Sequence, residues 1–322
     1  MRSVLYTEFG DPTRVLTLAE RDLPQPGKGE ARVRMAMSPI HNHDLSTIAG
    51  TYGIKPELPA VPGTEAVGVV DALGEGVTHL KVGQRVMGGT TKAWAEYYIG
   101  QAARLFAVPD SVGDETACQL ISMPLSAKML LADLDVPTGS WIIQNAANGA
   151  VGKLFNQFAT EHGAHVVNLV RGDARVAEMA ALGIANTVST ESDDWREQVK
   201  AITGGAPIIR GLDSVGGDGP EALLSVAAEY SEIISFGNLS GRPIKLSSAN
   251  LLFKQASVRG FWGARSRATP EAIGGMIGEL VQSAARGHLV LAVDGVFDLA
   301  DAKDAAKASG EPGRKGKVVI RG

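Results

Sequence analysis

Two rhythms of apolar residues divide the chain. From Met1 to about Arg104 they tend to alternate. In "ARVRMAM", Val33, Met35 and Met37 fall on one side and Arg32 and Arg34 on the other, the two-residue period of a strand with one buried face. Further short candidates, "EAVGVVDAL", "QRVMGG", "WAEYYIG" and "RLFAVP", are separated by "LPAVPG", "GEG" and "KVGQ", where glycine and proline interrupt the ladder. This predicts an antiparallel β domain with no helix longer than a couple of turns.

Near Glu115 the rhythm changes. "TGSWIIQNAANGAVGKLFNQFATEHG" reads as a strand, a loop of small residues and a helix in which Val151, Leu154, Phe155, Phe158 and Ala159 recur at helical spacing. The runs "HVVNLV", "NTVST", "IIRGLDSV" and "SEIISFG" follow as strands, and "ASVRGFW" comes after the less regular "SANLLFKQ". Strands alternating with helices imply a parallel sheet covered on both faces. A helix, "PEAIGGMIGELVQSAARG", and a strand, "GKVVIRG", close the chain, the strand returning to the first domain. The expected class is α/β. A β domain occupies residues 1–118, a doubly wound domain 119–265, and a return to the β domain 266–322.

Composition adds mainly exclusions. With 322 residues, 44% of them hydrophobic, each domain can hold its own core. The 31 basic and 35 acidic residues are spread along the chain, with no basic run to follow a nucleic-acid backbone, so no nucleic acid is expected as a partner. No apolar run is long enough for a membrane span, and "MRSVLYTEFGDP" lacks the apolar core of a secretion signal. Cys118, the single cysteine, cannot form an internal disulfide. A cytoplasmic protein is expected.

The chemistry begins at "NAANGAVGKLF", a dinucleotide fingerprint G-x-G-x-x-G with Ala147 in its first place, Gly149 in its second and Gly152 in its third. Its position after a strand and before an amphipathic helix is what the motif requires. Gly149 would let backbone approach a pyrophosphate, Gly152 would let helix and sheet pack closely, and the helix N-terminus would offer free N–H groups. The next strand runs into Arg171, Gly172, Asp173 and Arg175 rather than into a carboxylate. A guanidinium suits a ribose 2′-phosphate, so NADPH is expected ahead of NADH. Asp173 is expected to cap the helix "ARVAEMAAL".

The series "PGTEAVGVVDALGEGVTHLKVGQRV", "AWAEYYIG", "NAANGAVG", "LDSVGG" and "LLFKQASVRGFW" resembles the medium-chain dehydrogenase/reductase superfamily, whose fold is a GroES-like β domain plus a Rossmann domain. Within it, "GTYGIKPELPAV", "SMPLSAKMLL", "QNAANGAVG", "NLVR" and "GFW" are similar to the zinc-free branch, both quinone oxidoreductases of the zeta-crystallin type and, more closely, mitochondrial-type trans-2-enoyl thioester reductases. The resemblance implies cofactor contacts at Asn148, Gly149, Ala150, Val151, Gly152, Arg171, Arg175, Phe236, Gly237 and Lys317, an acyl pocket at Phe261 and Trp262, and a homodimer. Arg265 and Arg267 fit a solvated loop better than a contact to a phosphorylated carrier.

The stretch "IHNHDLSTIAGTY", Ile40–Tyr52, crowds two histidines and an aspartate together. In the superfamily's zinc alcohol dehydrogenases the ligand positions fall, by motif, where this chain has His41, Thr64 and Ser122, with Glu65 beside them. Threonine and serine hydroxyls are poor zinc ligands, so no metal is expected. The reductase pattern has asparagine where this chain has His41 and proline where it has Asn42. His41 is therefore either a polar handle or proton relay beside the nicotinamide ribose or substrate, or a hydrogen-bonded loop histidine. Asp44 matches the pattern and suits a turn or helix cap. Tyr52 aligns with the tyrosine that the resemblance assigns as donor to the substrate carbonyl; its alternative role is a packed aromatic. The expected function is reduction of an activated C=C bond in an enoyl thioester or enone. The alternatives are quinone reduction and an NADPH-binding interaction protein without turnover.

Overall fold

The alternating segments form strands because each has one face that must leave water. In the computed structural model, which describes all 322 residues, they are β1 (Arg2–Leu5), β2 (Thr17–Glu20), β3 (Glu30–Pro39), β4 (Glu65–Leu73), β5 (Arg85–Gly89), β6 (Tyr97–Gln101) and β7 (Leu105–Ala107). Only two short helices, α1 (Pro12–Val15) and α2 (Asn42–Ile48), and one 3-10 turn interrupt them. All pairings among these strands are antiparallel. Val33 and Met35 are buried and Arg34 is exposed, as the alternation requires. Met37 is only half-buried, because an irregularity in the β3–β4 register between Met35 and Met37 shifts the pleat. Trp94, Tyr98, Tyr6, Met35, Ile40 and Ile48 fill the core.

The second rhythm gives α3 (Asp114–Ala117), α4 (Met123–Leu134), β8 (Trp141–Gln144), α5 (Ala150–Glu161), β9 (His165–Val170), α6 (Asp173–Ala181), β10 (Thr187–Ser189), α7 (Trp195–Thr203), β11 (Ile208–Asp213), α8 (Gly219–Val226), β12 (Glu232–Ser235), α9 (Ser248–Lys254) and β13 (Ser257–Gly260). The irregular "SANLLFKQ" is thus a helix. The six strands form one parallel sheet in the order β10-β9-β8-β11-β12-β13. Strand order reverses beside β8, so the crevice at the carboxyl ends of β8 and β11 is the switch point where such sheets take ligands. On α5, Leu154, Phe155, Phe158 and Ala159 are buried and Val151 is half-buried.

The chain then forms α10 (Pro270–Ala285), β14 (Val293–Asp298), α11 (Ala302–Gly310) and β15 (Lys317–Arg321). Strand β15 pairs antiparallel with the end of β3, Ile320 opposite Ser38, and parallel with β14. The fold is therefore a GroES-like β unit plus a Rossmann unit, as expected. The compact units are 1–122 with 274–322, and 123–273; the expected limits were 118/119 and 265/266. No helix is long and apolar enough to cross a membrane.

The β3–β4 pair is the centre of the first sheet, and Gly68 shows how closely it is packed. A Cβ built at Gly68 would stand 2.2 Å from the Arg34 carbonyl oxygen, a contact that only backbone movement could relieve. Gly68→Ala is expected to lower stability by about 1–3 kcal/mol, read as a shift in the denaturant midpoint with an unchanged slope.

Candidate functional site

Backbone pairing brings the chemistry of the β unit together. Ile40 N–H donates to Val318 O at 2.9 Å, so the end of β3 and the start of β15 lie side by side, with His41 beginning α2 next to Lys317. His41 is fully buried. Its backbone N–H donates to Asp44 Oδ2 at 2.9 Å, and its Nε2 lies 3.1 Å from Glu65 Oε1. The other oxygen of Glu65 accepts from the backbone N–H of Ser122. Thr64 Oγ1 donates to Asp44 Oδ1 at 2.9 Å, and His43 Nε2 is 2.7 Å from the same hydroxyl. The rings of His41 and His43 stack at 4.9 Å between centroids, and those of His43 and Tyr52 are 5.8 Å apart. Tyr52 N–H donates to Ser46 O at 3.1 Å, so α2 positions the tyrosine that follows it.

Burial sets the charges here. Glu65, 1% exposed, is pushed up to about 7 by desolvation, against the pull of the Ser122 N–H. Desolvation, then Lys317, holds His41 well below the ordinary histidine value. Lys317 is lowered to about 8 by desolvation and by Arg314, while Asp44 and Glu65 oppose that shift. One nitrogen of His41 faces Glu65; the other, Nδ1, has no partner. No group of three or more His, Cys, Asp or Glu side chains converges on a metal-sized gap.

In the α/β unit the glycine loop has the close approaches a dinucleotide cradle needs. Gly149 caps α5, and Gly152 lies so near the loop that a Cβ would be 2.6 Å from Ala147 O. Asn148, Ala150 and Val151 complete the turn into the helix, whose first N–H groups have no intrahelical acceptor. At Gly237, just past β12, a Cβ would be 2.7 Å from Ser214 O, while Phe236 N–H donates to Asp213 O at 2.8 Å. Gly237 also lines a cavity with Gly216, Ser235, Asn238 and Arg242. Each is a place where any side chain would fill space beside the switch point, so these residues fit a bound dinucleotide.

Arg171 follows β9, is exposed and makes no ion pair. Arg175 is instead paired with Glu178 at 2.7 Å, and Lys153 reaches the same carboxylate at 3.5 Å. Asp173 is not the helix cap expected of it. Gly172, at φ +87°, is the cap residue, and Asp173 is the first residue of α6 with its charge in the first turn, where the helix dipole favours it. Phe261 and Trp262 lie beyond the end of β13, both part-exposed.

Sequence reasoning singled out His41, Asp44 and Tyr52 but gave Glu65 and His43 no role beyond the zinc question. The only signal was Glu65 opening an otherwise apolar strand. A charged residue at the head of "EAVGVV" is either a solvated end or a buried exception.

Residues 27–112 match the alcohol dehydrogenase GroES-like domain family and residues 150–277 the zinc-binding dehydrogenase family. The human mitochondrial enoyl-acyl-carrier-protein reductase is 30% identical over 330 residues, which cover 99% of this chain and 88% of that protein. The structure of Escherichia coli quinone oxidoreductase complexed with NADPH superposes with a TM-score of 0.90 at 25% identity, covering 100% of both chains. A quinone oxidoreductase of Pseudomonas syringae pathovar tomato gives 0.87 at 28% identity, covering 100% of this chain and 99% of that one.

The His41–Glu65 pair makes a signed prediction about pH. Glu65 has a raised folded pKa, so its contribution is present below the unfolded value of 4.5 and is lost as pH rises through about 7. His41 has a lowered one, so its contribution is present above 6.5 and is lost as pH falls. Between those unfolded values, 4.5 and 6.5, the two slopes have opposite signs and oppose one another. Glu65→Gln removes one slope and exposes the other. Its stability relative to the parent should rise with pH across that window by about 1.4 kcal/mol per unit, measured by urea unfolding at several pH values; parallel curves would contradict the assignment.

Proposed function

The chain belongs to the medium-chain dehydrogenase/reductase superfamily, and on that premise we propose that it is an NADPH-dependent, zinc-independent reductase of activated C=C bonds in enoyl thioesters or small enones. It is an oxidoreductase. When bound, NADPH supplies the hydride. The loop Asn148–Gly152 would hold its pyrophosphate, Phe236 and Gly237 its nicotinamide half, and Arg171 its 2′-phosphate. Lys317 adds a cation in the β unit, and Phe261 and Trp262 provide the apolar surface for the acyl group.

Tyr52 carries the reading. Reduction at the β-carbon builds negative charge on the carbonyl oxygen, and a phenol can both stabilise that charge and release a proton. What supports this role is its setting: Tyr52 lies one turn past the end of α2 and packs on His43, at the edge of a hydrogen-bonded acid–base cluster. The bias towards enoyl thioesters rests on the human relative, which spans nearly the whole chain. A quinone acceptor is the second reading, favoured by the solved relatives. Zinc independence is supported by the commitments of the polar groups, since the Thr64 hydroxyl already donates to Asp44 and His41 already faces Glu65. A homodimer is supported by β13, an edge strand of the parallel sheet, and by the exposed Leu252 and Phe253 on neighbouring α9. The cytoplasmic expectation rests on the composition, with a single cysteine and no apolar run of membrane-spanning length, whereas the human relative is mitochondrial by name.

Two experiments test the reading. Arg171→Glu should weaken NADPH binding on the order of tenfold or more with little change for NADH, read by fluorescence titration; an unmodified protein that binds both equally removes Arg171 from the site. Tyr52→Phe keeps the ring and should keep NADPH affinity while lowering kcat with an enoyl thioester roughly a hundredfold. Quinone turnover should fall less, because a quinone accepts hydride more readily. Steady-state kinetics in a metal chelator covers the zinc question as well. Parent-rate enoyl reduction by the variant, or loss of all activity in the chelator, overturns the corresponding assignment.

A further inference from the structure

The cluster around α2 holds one histidine that this reaction does not use. His43 lies in the first turn of α2 with 22% of its side chain exposed. Its Nε2 is 2.7 Å from Thr64 Oγ1, and the Thr64 proton is committed to Asp44 Oδ1 at 2.9 Å. A hydroxyl has one proton to give, so His43 must donate in the first bond. The neutral ring therefore carries its proton on Nε2 and presents Nδ1 as an acceptor, which makes no hydrogen bond within the protein. Asp44, 2% exposed, is held through its second oxygen by the backbone N–H of His41. A buried carboxylate that reaches a histidine through a hydroxyl fixes its tautomer and ring orientation, as an aspartate does by direct contact in hydrolase triads. The Tyr52 ring packs 5.8 Å from the His43 ring at 32°.

We propose that His43 re-supplies the proton that Tyr52 gives to substrate, passing it from Nδ1 through one bridging water to the Tyr52 oxygen. The inference rests on the enoyl-reductase reading above. In each turnover the hydride and its electron pair go to the β-carbon, the Tyr52 O–H bond breaks, and the proton joins the substrate enolate. The Nδ1–H bond of the imidazolium then breaks as the Tyr52 O–H bond reforms, and the neutral imidazole takes a proton from solvent. Thr64 and Asp44 move no proton; they hold the ring. His43 acts through Tyr52 and is a positioning and relay residue.

The test compares His43→Gln, whose side-chain amide can still donate to Thr64 but cannot carry a proton, with His43→Ala. With an enoyl thioester, both should lose kcat on the order of tenfold or more, with KM and NADPH affinity within about twofold of the parent. Added imidazole should restore a saturable part of kcat in His43→Ala and none in His43→Gln. In a Tyr52→Phe background, His43→Gln should cost less than about twofold further, because the two residues act as one unit. Ring nitrogen chemical shifts of the cofactor-free protein should show His43 protonated on Nε2. Parent kcat in His43→Gln, fully additive losses with Tyr52→Phe, or the opposite tautomer overturns the relay. Parent turnover of the enoyl thioester, recorded first, separates the two readings. Without it both fall; with it, and with loss in Tyr52→Phe but not in His43→Gln, only the relay falls.

Discussion

A carboxylate that must live without water organises the β unit. Stripping such a group of solvent costs several kcal/mol even after relaxation, and Glu65 is 1% exposed with no arginine or lysine within ion-pair distance. Its oxygens are satisfied by the Ser122 N–H and by the His41 ring, and its affinity for a proton rises until it titrates at about 7. Three segments far apart in the chain are tied by that one group, and β15 adds a fourth through Ile40 and Val318. The start of α2 is pinned in this way, and with it Asp44, His43 and, one turn beyond the helix, Tyr52. These residues are held in place because a buried carboxyl group upstream allows few alternatives.

The α/β unit meets a different constraint, close approach rather than charge. Gly152 permits α5 to lie against the Ala147 backbone, and Gly237 permits the chain after β12 to pass Ser214. In neither place is glycine needed for an unusual backbone angle, since neither has a positive φ. The space itself is what must be kept. That explains why Ala147 can occupy the first fingerprint position: it is buried, and its backbone rather than its side chain meets the helix.

Much of this was legible in the residue pattern, for physical reasons. Strand alternation and the helical spacing of α5 are local consequences of which face is buried, so β3, β4, β9, β11 and α5 could be placed directly. Elements that bury little were not. Helix α11 packs through Ala302, Ala305 and Ala306, which leave almost no apolar signature, and β14 is interrupted by Asp294 and Gly295. The second cut between the units falls inside the continuous helix α10, where no turn residue could mark it. The helix cap was misplaced by one residue because Gly172, with its positive φ, supplies the turn that Asp173 was expected to make. Within the site, Tyr52 and His41 stood out by type and position. The bonds from Glu65 to Ser122 and from His43 to Thr64 span 57 and 21 residues, and no local pattern encodes such pairings.

The crowding of histidines and acids near residue 41 looks at first like a metal cage, and the hydrogen bonds set what metal binding would have to displace. For the bonded atoms to turn on a cation, His41 Nε2 would have to release Glu65, the Thr64 hydroxyl would have to release Asp44, and His43 Nε2 would have to release Thr64. Each such bond is worth about 1 kcal/mol net, and a buried partner left unsatisfied costs more than that. The ligands gained in return would include hydroxyls, which bind zinc poorly. Among these groups the interactions leave Nδ1 of His41 and Nδ1 of His43 uncommitted. The first is sealed in the core, whereas the second belongs to a part-exposed ring packed on Tyr52. Of the two, only His43 can exchange protons with solvent without breaking the network that holds the site together.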